Sequence, residues 1–266
     1  MTRVFGSACR AALGLLACGL ALRPVAADDK TLRVGMDTRS PPWSFVEGLD
    51  FSQEDQASDP SISAAQLAKV QGFDVDVARL VAKRLGTKLE IVPVAWGGLE
   101  NGLVAGRFDA IIDAWTKTAR TPAAIAATSP YARWGLVVVA RAEDMRIQSV
   151  QGLGGMRVGH YNDPAVLRSL SALGHGTFRA FDDPGSLFDA LKQKRLDAAI
   201  FDSPYVDWWL SRNLGFRVVG EPLNRLGYHI GVRKADAELA RKLETIAEAL
   251  EGAPEMAEIR KRWGGR

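Results

Sequence analysis

Cysteine is nearly absent from this 266-residue chain: Cys9 and Cys18 are the only two, and both lie within the first 27 residues. The remainder can form no disulfide and no cysteine-based zinc site, so its stability has to come from its core. Histidine is also scarce. His160, His175 and His229 have no partner at metal-ligand spacing. There is no Gly-x-x-x-x-Gly-Lys-Ser/Thr loop, no Gly-x-Gly-x-x-Gly and no Gly-x-Ser-x-Gly. Gly152-Leu153-Gly154-Gly155 precedes a strand and reads as a turn. No cofactor is therefore expected. Long apolar runs are missing except at the start. Arg3 and Arg10 precede the apolar stretch Ala11–Leu22, and Val25-Ala26-Ala27 offers small residues for cleavage. Residues 1–27 thus read as a secretory signal peptide, and the protein as periplasmic. Leu15-Leu16-Ala17-Cys18 offers a second reading, a lipidated Cys18, against which the apolar run continues to Leu22. Charge of one sign is lacking too. The formal charge of +3 comes from three leader arginines, and without them 31 basic residues face 31 acidic ones. That balance excludes the concentrated basic face of a nucleic-acid-binding protein.

The polypeptide has apolar strands that alternate with amphipathic helices. Leu32–Met36 reads as a strand ending at Asp37, before the turn-rich Arg39-Ser40-Pro41-Pro42-Trp43. Residues 46–70 are polar and read as an insertion, with one or two helical turns over Ser61–Val70. Phe73–Leu85 carries Val77, Leu80, Val81 and Leu85 on one helical face. Leu89–Val94 and Asp109–Ile112 read as strands around a helix over Gly98–Arg107. Thr118 suits the cap of a short helix to Ala127, and Leu136–Ala140 a buried strand. A second series follows: strands at Arg157–Tyr161, Phe178–Phe181, Ala198–Phe201, Phe216–Val219 and Tyr228–Val232, with helices at Asp163–Leu173, Pro184–Lys194 and Tyr205–Arg212. Helices over Ala237–Leu250 and Glu255–Trp263 close the chain. Such alternation builds α/β sheets whose strand ends form a ligand crevice.

Polar and aromatic residues gather at those strand ends: Asp37, Trp96, Asp113–Thr118, Tyr161–Asp163 and Phe201–Ser203. Asp202, between an apolar strand and Ser203-Pro204, suits either a helix cap or a carboxylate for a cation. Trp96 and Trp115 suit either a core or a pocket wall, since aromatics are most often core.

The order and spacing of these segments resemble a known family. Pro41-Pro42-Trp43-Ser44-Phe45, Gly72-Phe73-Asp74-Val75-Asp76, Pro93-Val94-Ala95-Trp96, Gly106-Arg107-Phe108-Asp109-Ala110, Ser129-Pro130-Tyr131, Leu196–Pro204, Tyr228–Lys234 and Lys261-Arg262-Trp263 together look like family 3 periplasmic solute-binding proteins, the polar amino acid type of ABC importers. The resemblance implies a two-lobed α/β periplasmic-binding-protein fold of type II. Its lobes, sheets flanked by helices, are joined by two hinge strands: 28–140 plus 227–266, and 141–226. It implies a monomer that captures a small-molecule ligand between closing lobes and delivers it to a membrane permease, without catalysis. By position, Asp202 becomes the acid for the ligand's amino group, Asp37 a second pocket acid, Trp96 a pocket aromatic and Thr116 a ligand-contacting hydroxyl. The family's carboxylate-binding arginine falls on Thr121, with Arg120 one residue early. Asn162-Asp163-Pro164 stands where Gly-Thr or Gly-Ser is usual, and proline has no N–H to donate. Acids (Asp37, Asp113, Asp163, Asp202) beside aromatics (Trp43, Trp96, Trp115, Tyr161, Phe201) suit a cationic or amine solute. The alternatives are a cyclohexadienyl dehydratase-like enzyme on this fold and an accessory protein of a quinoprotein dehydrogenase.

Overall fold

A computed structural model describes residues 30–49, 57–162, 166, 170 and 177–263. Two five-stranded sheets organise them. The first has β1 (Thr31–Met36), β4 (Lys88–Pro93), β5 (Ala110–Ile111), β6 (Ile125–Trp134) and β12 (Leu226–Arg233), in the order β4-β1-β5-β12-β6. The second has β7 (Leu136–Arg141), β8 (Arg157–Tyr161), β9 (Thr177–Phe181), β10 (Ala198–Asp202) and β11 (Phe216–Val219), in the order β11-β7-β10-β8-β9. In each sheet three neighbouring strands run parallel, β4, β1 and β5 in one and β9, β8 and β10 in the other; β12 pairs antiparallel with β5 and β7 with β10, and the edge strands β6 and β11 pair antiparallel with β12 and β7. A small hairpin, β2 (Arg39–Ser40) with β3 (Ser44–Phe45), follows β1.

Helices α1 (Ala64–Leu67), α2 (Phe73–Leu85), α3 (Leu99–Val104), α4 (Pro184–Lys192), α5 (Ser203–Leu210), α6 (Ala237–Leu250) and α7 (Pro254–Trp263) flank the sheets. The apolar stripe of α2 does what its spacing predicts: Val77, Ala78 and Val81 are fully buried. Burying each valine contributes about 1.5–3 kcal/mol. Gly86, in the left-handed region at φ 70°, ends that helix.

Two expectations about local structure fail. Thr118 opens no helix. Thr121 N–H donates to the Thr118 carbonyl in a turn, Pro122 follows, and β6 is already extended at Ile125. Ser129-Pro130-Tyr131 consequently lies inside β6. The chain crosses from the first sheet to the second at Gly135, so β7, grouped by the sequence with the first lobe, belongs to the second sheet. Gly135 is where the two crossover segments touch: a Cβ there would stand 2.4 Å from the Asn224 carbonyl oxygen and 2.8 Å from Pro222. The expected helix over Asp163–Leu173 lies outside the described residues.

The excursion from Val46 to Val70 starts and ends at one place, because Phe45 and Gln71 exchange backbone hydrogen bonds at 2.8 and 2.9 Å. Asp59 anchors it by accepting from Ala95 N–H at 3.0 Å and pairing with Arg107. Within it Ser63 and Gln66 form a capping box on α1.

Candidate functional site

The C-terminal ends of the parallel strands in the two sheets face one cleft of about 980 Å³. The first sheet supplies Asp37 after β1, Trp96 after β4, and Asp113 and Thr116 after β5; the second supplies Tyr161 from β8 and Phe201 and Asp202 from β10. The hairpin adds Arg39, Trp43 and Phe45 to the wall.

Asp37 is saturated. Its carboxylate accepts from Arg39 Nε at 2.9 Å, Arg39 Nη2 at 3.0 Å, Arg39 N at 3.2 Å and Trp96 N at 3.0 Å. The Arg39 and Asp37 side chains are 2% and 5% exposed, a buried bidentate pair whose charges cancel. Sequence reading missed Arg39. The signal was its place two residues after Asp37, on the same side of an extended segment.

Asp113 is 1% exposed and sits in the cleft floor. Its Oδ2 accepts from Asp37 N at 2.7 Å, and its Oδ1 lies 2.7 Å from the Ser44 hydroxyl. Behind it the fully buried Asp74 accepts from Tyr131 Oη at 2.8 Å and from Ala114 N. Burial pushes the Asp74 carboxyl up to about 7. Burial first, and the neighbouring Asp74 second, push Asp113 well above the usual carboxylate range.

Trp115 is a correction. It is 4% exposed and packs with Val94, Leu99, Phe108 and Ile111 in a small core, its indole N–H donating to Glu100 at 3.1 Å. Ala114 before it takes φ 50°, and the chain turns there so that Thr116 reaches the cleft and Trp115 does not. Thr116 hydroxyl donates to the Gly227 carbonyl at 3.0 Å. Arg120 is the second correction. It is exposed and off the cleft wall, because the 118–121 turn aims Thr121 at Glu100 (2.8 Å) and Arg120 at solvent. Asp163 lies outside the described residues.

Asp202 occupies the N-cap position of α5, yet its side chain makes no capping hydrogen bond. Its Oδ2 instead accepts from the Tyr228 hydroxyl at 3.3 Å, and the residue lines the cleft. Burial, then the charge of Asp202, holds Tyr228 well above the usual phenol range, so its hydroxyl keeps its proton and donates. Ser203 next to it joins α5 to the crossover: its N–H donates to the Gly135 carbonyl at 2.9 Å, and its Oγ accepts from Gly135 N at 3.3 Å.

Aromatic rings connect the lobes. Trp43 stacks on Tyr205 at 6.0 Å and meets Tyr228 edge-on at 6.3 Å; Phe45 meets Trp208 at 6.5 Å. Tyr161 packs on Phe201 at 5.4 Å. Tyr205 and Trp208 were missed because α5 reads as an ordinary apolar helix. Seven carboxyl residues and two arginines line the cleft. Arg39 is paired with Asp37, and Arg212 stands at the rim over Trp208 at 4.6 Å, so the wall is electronegative. Among the described residues no group of three His, Cys, Asp or Glu side chains is placed to hold a metal, and no helix is long and apolar enough to cross a membrane.

The sequence pattern of the family described as "Bacterial extracellular solute-binding proteins, family 3" matches residues 55–266. A "Probable amino-acid ABC transporter-binding protein" of Haemophilus influenzae is 25% identical over 238 residues, covering 89% of this chain and 85% of that protein. An "L-arginine-binding protein" of Pseudomonas aeruginosa is 26% identical over 265 residues, covering 95% of each. Among solved structures, "An ancestral arginine-binding protein bound to glutamine" aligns with a TM-score of 0.68 at 27% identity, over 89% of this chain and 98% of that one.

Proposed function

Because the chain belongs to the bacterial extracellular solute-binding proteins of family 3, we propose that it captures a cationic, amine-bearing amino-acid-type solute between its lobes and delivers it to the membrane permease of an ABC importer. The observation that carries the ligand class is the charge on the cleft wall. Beyond the Asp37–Arg39 pair and the floor acid Asp113, the wall carries Glu47, Asp182, Asp183, Asp189 and Asp202 against Arg212. Asp202 receives the ammonium group, since its carboxylate borders the cleft instead of capping α5. Ring faces of Trp43, Trp96 and Tyr161 supply apolar and cation–π contact to the rest of the solute, each desolvated contact contributing about 2 kcal/mol.

In this reading residues 30–135 with 224–263 form one lobe and the intervening segment the other, meeting at Gly135 and residues 222–224. The chain acts as a monomer, enters the periplasm behind the leader 1–27, and performs no catalytic step. Steady turnover of a cyclohexadienyl acid by purified protein is the outcome that contradicts the last point.

Isothermal titration with L-arginine and L-glutamate tests the ligand class. Arginine is expected to bind, and Asp202→Asn to weaken it by at least about 30-fold, the loss typical of truncating one partner of a desolvated charge pair. Binding of glutamate with no response to arginine overturns the proposal.

A further inference from the structure

Under the cleft floor the hydrogen positions can be counted. The Ser44 hydroxyl oxygen lies 2.8 Å from the Asp37 carbonyl oxygen and 2.7 Å from Asp113 Oδ1. Both are oxygen–oxygen contacts of hydrogen-bond length, and making both of them full two-centre hydrogen bonds takes two protons. Serine has a single proton and gives it to one acceptor; a backbone carbonyl has none to give. If the serine proton points at the carbonyl, the second proton belongs to Asp113. The other oxygen of Asp113 is already an acceptor, for Asp37 N–H at 2.7 Å.

The surroundings favour that protonated form. From α2, Asp74 faces Asp113; from β6, Tyr131 is held on Asp74; from the end of β1, Asp37 approaches with Arg39 bound to its own carboxylate. Among the described residues the groups facing Asp113 are thus acids, and the nearby Arg39 is committed to Asp37. Burial first, and the neighbouring acid Asp74 second, push in the same direction.

We propose that Asp113 works as a neutral carboxylic acid, donating to Ser44, which donates to the Asp37 carbonyl, and that this chain positions the hairpin carrying Arg39 and Trp43 on the cleft wall. Ser44 opens β3 and Asp37 follows β1, so the two bonds tie the hairpin to the first sheet. Asp113 is then a positioning residue, and the first lobe's floor presents no net charge to a solute. The effect on affinity rests on the cation-binding reading above; the protonation itself does not.

Asparagine imitates the protonated acid, with an amide N–H toward Ser44 and a carbonyl oxygen toward Asp37 N–H. The first test uses no ligand. Denaturation in urea from pH 5 to 9 should show wild type losing stability with rising pH more steeply than Asp113→Asn. The folded wild-type protein keeps a proton that the unfolded chain releases, and the variant has none to keep. The infrared spectrum of wild type minus Asp113→Asn at pH 7 should contain the C=O band of a protonated carboxyl. Parallel pH profiles with no such band overturn the proposal. The second test uses L-arginine. Asp113→Ala should weaken binding, and Asp113→Asn should restore it to within about threefold of wild type, under about 0.7 kcal/mol. A loss of about 30-fold or more in Asp113→Asn marks a charged ligand acid and overturns the positioning role. If wild type ignores L-arginine, the cationic-solute reading fails, while the ligand-free arm still decides the state of Asp113.

Discussion

Replacing Asp74 by asparagine should flatten part of the pH dependence of this protein's stability. Asp74 is fully buried, and its carboxyl is raised from 3.8 to about 7 because burial disfavours the charge more than the Tyr131 hydroxyl and the Ala114 N–H favour it. A raised folded-state value means that the folded protein binds this proton more tightly than the unfolded chain does. The stabilisation is fully present below about pH 4 and is lost as pH rises to about 7. A rise from 3.8 to about 7 is equivalent to about 4 kcal/mol, or about 1.4 kcal/mol per pH unit across that window. Asparagine cannot ionise, so its contribution is constant. Its carbonyl oxygen can take the Ala114 N–H while its amide N–H points at the Tyr131 oxygen, which accepts as well as donates, so asparagine imitates the protonated acid. The stability of wild type relative to the variant should therefore fall by about 1.4 kcal/mol per pH unit from pH 5 toward pH 7. Urea denaturation at half-unit steps from pH 5 to 8 measures this, given two-state transitions. Parallel curves for the two proteins would refute the reasoning, since they would mean that Asp74 holds no extra proton in the folded state.

Two further substitutions test the packing that supports the cleft. Gly72→Ala should destabilise by about 2–3 kcal/mol in thermal or urea unfolding, because Gly72 has φ 143° and a Cβ would stand 2.1 Å from the Trp43 carbonyl oxygen; a loss below about 0.5 kcal/mol would contradict that geometry. Arg39→Met should cost about 3–5 kcal/mol, since it strands the Asp37 carboxylate in a site where both side chains are at most 5% exposed; urea denaturation showing unchanged stability would mean that Asp37 has another counter-charge.

The secondary structure was legible wherever periodicity was long. Phe73–Leu85 and Ala237–Leu250 coincide with α2 and α6 residue for residue, because an apolar stripe over three turns leaves little room for another reading. The 118–127 region misled because a threonine able to cap a helix also serves a turn: here Thr118 Oγ1 accepts from Arg120 N at 3.1 Å, and Pro122 helps end the turn. Trp115 misled for a different reason. Its position at a strand end was read correctly, but the direction of a side chain after a strand depends on one backbone angle, and Ala114 at φ 50° has no marker in the sequence.

The charge of the cleft was the least legible property, and the reason is physical. A sequence counts carboxyl groups; a ligand meets only those whose charge survives folding. Asp37, expected as a pocket acid, carries its own guanidinium partner two residues away, and its remaining acceptor capacity goes to two backbone N–H groups, of Arg39 and Trp96. Asp113, expected beside it, turns its oxygens to a serine and a backbone amide in the floor. Asp202 took the opposite course. It holds the position where an aspartate most often caps a helix, yet it leaves the cap unmade and borders the cleft. Three acids with similar sequence contexts at strand ends thus separate into an ion-paired acid, a floor acid raised well above the usual range, and an acid that borders the cleft. What separates them is their partners: Arg39 within the same hairpin, Ser44 and Asp74 beneath the floor, and Tyr228 on the crossover strand. Those partners lie from 2 to 69 residues away in the chain, and only folding brings them into contact.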